Sequence, residues 1–378
     1  MTHSHRLMFL VASAAMLLTA CPAANAQTAD SQPATAPSAI SDEAIQALIV
    51  SVRQLRKGDA DAMEKALAMC WEMAKAHPDA PNVDVVHNLI LFMSLKLMNT
   101  RKDDDARLRF NNAVEHILAS NDDSRAKCVA DFQRVLHIVT TKDDKLAAMI
   151  PGQKPDDDAE TRDVRLLNEF VERHKDTPSA AMAYTEAAKL AAMVVTLNDL
   201  HTRYVAILKE KYEDDRDARY YLREIGQYSD VGKPFTATLT TLDGKTLTLP
   251  DDLKGKVLVI DFWATWCGPC VQSMPEVKQF YEAYKNKGVE VIGVSLDETK
   301  EAAEKFVTEK KYDWIQTYDP GCWLNPTAAK YAIKGIPAVI VVDQEGNIAS
   351  FSHGIGSEER TTINKLLRNK PATKPAEK

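Results

Sequence analysis

Glycine placement constrains this fold more than any other feature of the sequence. Of the chain's fourteen glycines, only Gly58 and Gly152 precede Gly226. Glycine is costly inside helices and is the usual residue of tight turns and bulges. A long stretch almost without it, carrying amphipathic periodicity, predicts helix packed on helix. The periodicity is present from Ser41 onward. Ile45, Leu48, Ile49, Val52 and Leu55 follow the i, i+3, i+4, i+7 rule, as do Met63, Ala66, Leu67, Cys70 and Ala74. Cys128, Phe132, Val135, Leu136 and Val139 make a third stripe. The region 41–226 is therefore expected to be an all-helical domain, with no repeat period that can be defended.

After Gly226 the texture changes. "FTATLTTLDGKTLTLP" alternates Thr with apolar residues around "DGK", which predicts a β-hairpin leading into the buried strand "VLVIDFWA". The sequence then alternates. A helix runs from after Cys267 to about Lys285, followed by the strand "VEVIGVSL" and the helices "KEAAEKFVTEKK" and "NPTAAKYAI". The hairpin "AVIVVD"–"IASFSH" and the helix "SEERTTINKLL" complete it. This order predicts an α/β domain over 231–368, with a central mixed sheet flanked by helices. The remaining 369–378 read as a polar tail.

The first 26 residues read as an export signal, with Arg6 ahead of the apolar run "LMFLVASAAMLLTA". Two processing sites compete: "ANA" at Ala24–Ala26, and the lipobox-like "LTAC" ending at Cys21, which would be acylated. Residues 27–40, small and Pro-containing, read as a linker. Export would place the protein in the periplasm or cell envelope, where cysteines meet oxidising conditions. A formal net charge of -7 argues against nucleic acid as a partner.

Six cysteines are too few for a disulfide scaffold in 378 residues, so cysteine chemistry here is local. It centres on "FWATWCGPC". Covalent haem attachment needs histidine after the second cysteine, and Val271 stands there. A structural zinc site needs a second ligand pair at short spacing, and none is present, so no metal or cofactor is expected. A redox dithiol needs a CxxC where a strand meets a helix, which is the context here. Cys267 at the helix start would be the attacking thiolate, favoured by the unpaired N–H groups and the positive dipole end. Cys270, one turn in, would resolve the mixed disulfide. Pro269 fixes the turn. Asp261, on the strand, would be a buried acid that takes the proton from Cys270, against the alternative of a solvated strand-end carboxylate. Trp266 reads as exposed partner-contacting surface beside Gly268 and Pro269, and Trp263 as core support.

"VIDFWATWCGPC" resembles the active-site segment of the thioredoxin superfamily. The stretch from about Val231 to Leu367 is closer to the exported TlpA/ResA-like thiol–disulfide oxidoreductases. That resemblance implies a thioredoxin-like fold and a Cys267–Cys270 couple. It further implies a cis Ile336–Pro337 bond facing the couple, with the Ile336 backbone free to pair with a substrate strand. Pro275 matches the family's helix kink. The partners implied are disulfide-containing exported proteins and a membrane thiol electron donor. Departures exist: Ser273 stands where relatives often carry an acid, Asp261 where they often carry Asn, and Gly293 where thioredoxin has a lysine.

The leading functional expectation is an exported thiol–disulfide oxidoreductase that reduces other exported proteins. Alternatives are a helical docking scaffold with a redox-sensing head and a thiol peroxidase using Thr265. A copper carrier using both thiols and His353 is a weaker one. Cys70 and Cys128 read as buried structural thiols, with a bridge between them as the alternative, and Cys322 as a bystander or third redox thiol. The acid runs Asp103–Asp105 and Asp156–Asp158 read as solvated caps and loops, and "GIG" at Gly354–Gly356 is no dinucleotide loop.

Overall fold

The computed structural model describes residues 39–53, 59–120, 124–152 and 158–368. The signal-like segment with Cys21, nearly all of the linker, Leu55, Asp156, Asp157 and the polar tail lie outside the described residues. The chain divides into two compact units, with the boundary between Ala218 and Arg219. Among the described residues no helix is long and apolar enough to cross a membrane.

The first unit is helical. Its main helices are α1 (Asp42–Arg53), α2 (Ala60–Ala76), α3 (Val83–Arg101), α4 (Asp104–Ala119) and α5 (Ser124–Thr141). After the single turn α6 (Asp144–Ala147) come α7 (Ala159–His174), α8 (Ala180–Met193), α9 (Asn198–Lys211) and α10 (Arg216–Glu224). The last six residues of α10 belong to the second unit. Aspartates set several helix starts. Asp59, Asp103 and Asp158 each accept a backbone N–H in the first turn of α2, α4 and α7, which satisfies donors that the helix itself cannot. The periodic stripes face inward: Met63, Ala66, Leu67, Cys70, Ala74, Cys128, Phe132, Val135 and Val139 are all buried.

One buried ionic cluster crosses this apolar interior. Asp131, fully buried on α5, takes Arg173 at 2.8 Å, Arg134 at 3.1 Å and His174 at 3.2 Å. Burial alone would raise the Asp131 carboxyl. His174, Arg173 and Arg134 outweigh it and hold the carboxyl down at about 2. Arg134 also reaches Asn111 at 3.0 Å and pairs with Glu115.

The second unit contains a hairpin and a five-stranded sheet. Strands β1 (Ala237–Thr240) and β2 (Thr246–Leu249) form the hairpin, whose turn needs the left-handed Gly244 at φ 86°. The sheet contains β3 (Val257–Trp263), β4 (Val289–Ser295), β5 (Ile315–Tyr318), β6 (Ala338–Val342) and β7 (Ile348–Ser352). Its order is β5-β4-β3-β6-β7; β4 runs parallel to β3 and β5, while β6 is antiparallel to β3 and β7. Helices α11 (Gly268–Tyr284), α12 (Lys300–Lys310), α13 (Pro326–Lys330) and α14 (Ser357–Arg368) connect and flank the strands. This is a thioredoxin-like mixed sheet, and the N-terminal region is helical, as the sequence predicts. The edge strand β5 was not anticipated. It is four residues long and lacks the continuous apolar run that marks β3 and β4.

Every residue of β3 is buried, as for a central strand covered on both faces. Gly293 on β4 is dictated by packing. A Cβ there would overlap Gln316 Oε1 and stand 3.0 Å from Trp263 Nε1. The Trp263 indole N–H donates to that same Gln316 oxygen across 3.0 Å.

Replacing Asp131 by Ala removes the carboxylate that Arg173 and His174 share and leaves the buried Arg134 with only Glu115 and Asn111. The helical unit should lose about 3–5 kcal/mol. Urea unfolding followed by far-ultraviolet circular dichroism reads this, and a loss below about 1 kcal/mol would contradict the burial of an ionic cluster at this point.

Candidate active site

The site forms where β3 ends and α11 begins. The chain leaves Trp263, turns through Ala264 to Trp266 and places Cys267 at the N-cap of α11. Pro269 falls in the first helical turn, where its missing N–H costs nothing and its fixed φ suits the helix. The Cys270 N–H donates to the Cys267 sulfur at 3.2 Å, the place a capping oxygen usually takes. Cys267 and Cys270 form a disulfide, with S–S 2.02 Å and Cα–Cα 5.2 Å. Cys267 retains slight exposure and Cys270 is buried.

A second segment closes on the first. The Ile336–Pro337 bond is cis, and the Ile336 carbonyl oxygen lies 3.6 Å from the Cys267 sulfur. The Leu249–Pro250 bond is also cis. On the other flank Trp266 is 49% exposed, its ring 5.7 Å from that of Trp323, and Leu324 next to Trp323 is 66% exposed. Trp266 and Leu324 leave exposed apolar surface on this flank.

Asp261 lies on β3, opposite Gly293 on β4 and Val339 on β6. Burial pushes its carboxyl up to about 7. The acid therefore titrates near neutrality, where it can hold or release a proton. Trp263 is buried beneath the site, against Gln316 and the Phe306 ring at 5.5 Å. Pro275 lies further along α11, inside the helix. Ser273 caps no charge: its hydroxyl donates to the Cys270 carbonyl at 2.9 Å.

Two features beside the couple were not anticipated. Asp297, 1% exposed just past β4, accepts both the Thr265 N–H at 2.9 Å and the Thr265 hydroxyl at 2.6 Å. It thereby fixes the turn before Cys267 and commits the hydroxyl a peroxidase would need. Glu224 and His353 meet near Pro337 with N···O 3.6 Å. No spacing rule links either pair, since each is joined only by the fold. Cys322 is buried, with its sulfur 3.6 Å from the Asp297 carbonyl. Cys70 and Cys128 are the free thiols among the described residues. They are not bridged to each other, and burial pushes the Cys70 thiol up to about 12 and the Cys128 thiol up as well.

A CxxC disulfide at a helix N-terminus, on a β5-β4-β3-β6-β7 sheet and faced by a cis-proline, defines a thioredoxin-fold redox domain. The redoxin family model matches residues 230–367. Over 122 residues the chain is 34% identical to the thiol-disulfide oxidoreductase ResA of Bacillus cereus, covering 32% of this chain and 68% of that protein. Over 142 residues it is 32% identical to ResA of Bacillus thuringiensis subsp. konkukian, covering 37% and 79%. A solved thioredoxin domain of a thiol-disulfide oxidoreductase from Bacteroides vulgatus is 30% identical, covers 37% of this chain and 99% of its own, and superposes with a TM-score of 0.34. The chain belongs to the ResA-like thiol–disulfide oxidoreductases of the thioredoxin superfamily.

The raised Asp261 carboxyl has a consequence for stability. Unfolded, the acid ionises near 3.8; folded, it ionises near 7. Between those values the folded state holds a proton the unfolded state has lost, so stability falls as pH rises and the full cost is reached above about 7. The shift corresponds to about 4 kcal/mol. Asp261→Asn should therefore stabilise the oxidised protein at pH 8 by a few kcal/mol and give no advantage near pH 3. Urea unfolding at the two pH values checks this; equal effects at both would contradict the burial argument.

Proposed function

We propose that this protein is exported and reduces disulfides in other exported proteins by dithiol exchange through Cys267 and Cys270. The observation that carries the reading is the Cys267–Cys270 bridge at the start of α11, with the Cys267 sulfur against the Ile336 carbonyl. In the reduced form the helix N-terminus favours the Cys267 thiolate. That thiolate attacks one sulfur of the partner's disulfide, whose S–S bond breaks. The departing partner sulfur takes up a proton, and a Cys267–partner bond forms. Cys270 then gives its proton to Asp261 and attacks the Cys267 sulfur. The mixed disulfide breaks, the second partner sulfur leaves as a thiolate, and two electrons have passed to the partner.

The partner's chain lies across Trp266, Gly268 and Pro269 on one side and Ile336 and Pro337 on the other. Exposed Trp266 and Leu324 favour an apolar segment next to the scissile disulfide. Pro337 has no N–H to donate, and the Ile336 backbone pairs with the extended segment. A membrane thiol donor returns the couple to the dithiol. The positive start and apolar run around Arg6 would carry the chain across the membrane, with Cys21 as a lipid anchor if the lipobox is used.

Removing the resolving thiol tests the scheme. Cys270→Ala should accumulate mixed disulfides with envelope proteins, seen as reducible bands on non-reducing gels. Cys267→Ala should give none. Adducts that survive Cys267→Ala, or their absence from Cys270→Ala in growing cells, would contradict the assignment of roles.

A further inference from the structure

The redoxin match begins at residue 230, yet the redox unit begins at Arg219. The added segment, the end of α10 and the turn after it, is fastened to the domain. The Arg223 guanidinium lies 3.9 Å over the Phe351 ring and donates to the Tyr331 carbonyl at 3.1 Å. Arg219 and Arg223 both pair with the buried Asp230, at 3.2 and 2.6 Å, and Tyr228 donates to the same carboxylate at 2.8 Å. An arginine stacked on a ring, paired with a carboxylate and bonded to a carbonyl holds a fixed orientation.

That anchoring aims one face of α10 at the cis-proline loop. Tyr220 and Glu224 are four residues apart and so share a face. The Tyr220 hydroxyl lies 3.9 Å from where a Cβ on Gly335 would stand. Glu224 pairs with His353, just past β7, at 3.6 Å. Glu224, and after it the Pro337 carbonyl, favour the charged imidazole and hold His353 above its ordinary value, while burial and Arg223 oppose them. The loop 335–337 is thus bounded by Tyr220 and the Glu224–His353 pair, and it presents the Ile336 carbonyl to Cys267.

We propose that Glu224 and His353 are positioning residues that hold the Gly335–Pro337 loop for an extended partner, which makes the end of α10 part of the site. The inference rests on the exchange reading above. Its physical basis is that a partner strand pairs with this loop's backbone, so the loop must be in register before the sulfurs meet. A small disulfide needs only access to the Cys267 sulfur. Both side chains of the pair are substantially exposed, and exposed pairs add little to stability, so their removal should leave the fold intact.

The test compares insulin, a polypeptide disulfide, with DTNB, a small one, in single turnovers of the full chain reduced beforehand, KM and kcat being the half-saturating concentration and limiting rate of that one exchange. Glu224→Ala and His353→Ala should each raise KM for insulin about tenfold with kcat changed less than about twofold. The rate with DTNB should move less than about twofold, and the double variant should be no worse than either single one. Insulin and DTNB slowed alike, an unchanged insulin KM, or single losses that multiply in the double variant would each overturn the positioning role alone. A parent protein that reduces neither disulfide would overturn the exchange reading and this inference with it.

Discussion

The active end of this protein depends on the burial of one strand. Each of the seven residues of β3 is buried, so the strand's carboxyl end is fixed on all sides. The next segment, a turn tied by Asp297 and a helix opened by Pro269, has little freedom. The Cys267 sulfur is therefore placed by apolar packing at the start of a helix, the setting on which the proposed exchange depends. The same burial makes Asp261 titrate near neutrality, since a carboxylate on that strand has lost its water. Position and proton affinity share one cause.

Legibility in the sequence divides along the range of the interactions. Glycine scarcity and the helical stripes made the N-terminal fold legible, because helix formation is local and Met63, Leu67 and Cys70 must share a face. The CxxC after a buried apolar strand made the strand-to-helix junction and its cysteine pair legible for the same reason. The cis geometry at Pro337 followed from family resemblance; the residues alone indicate a turn. Strand β5 was missed because it depends on pairing with β4, and Ile315–Tyr318 carry little pattern of their own. Asp297 beside Thr265 and Glu224 beside His353 are unions of distant residues, which no spacing rule anticipates.

The two units differ in how they are stabilised. Around β3 the redox unit is apolar but for Asp261, with Gly293 admitting the Trp263–Gln316 hydrogen bond, and its ionic cluster at Asp230 lies at the end of α10. The helical unit carries the Asp131 cluster, whose three basic neighbours hold the acid ionised in a dry interior. A cluster of this kind gives up stability relative to an apolar core but tolerates few alternative arrangements, because each misplaced partner leaves a charge exposed to low dielectric. The cluster links α5 to α7 through Arg173 and His174.

In this mechanism the Cys267–Cys270 couple donates electrons to partner disulfides. Its reduction potential, measured by equilibration of the purified full chain with thiol buffers, tests this most directly. A value below about −220 mV is predicted, since a dithiol reductant must lie among the more reducing couples of the superfamily. A value above about −150 mV would make the couple an oxidant and contradict the direction of electron flow assigned here.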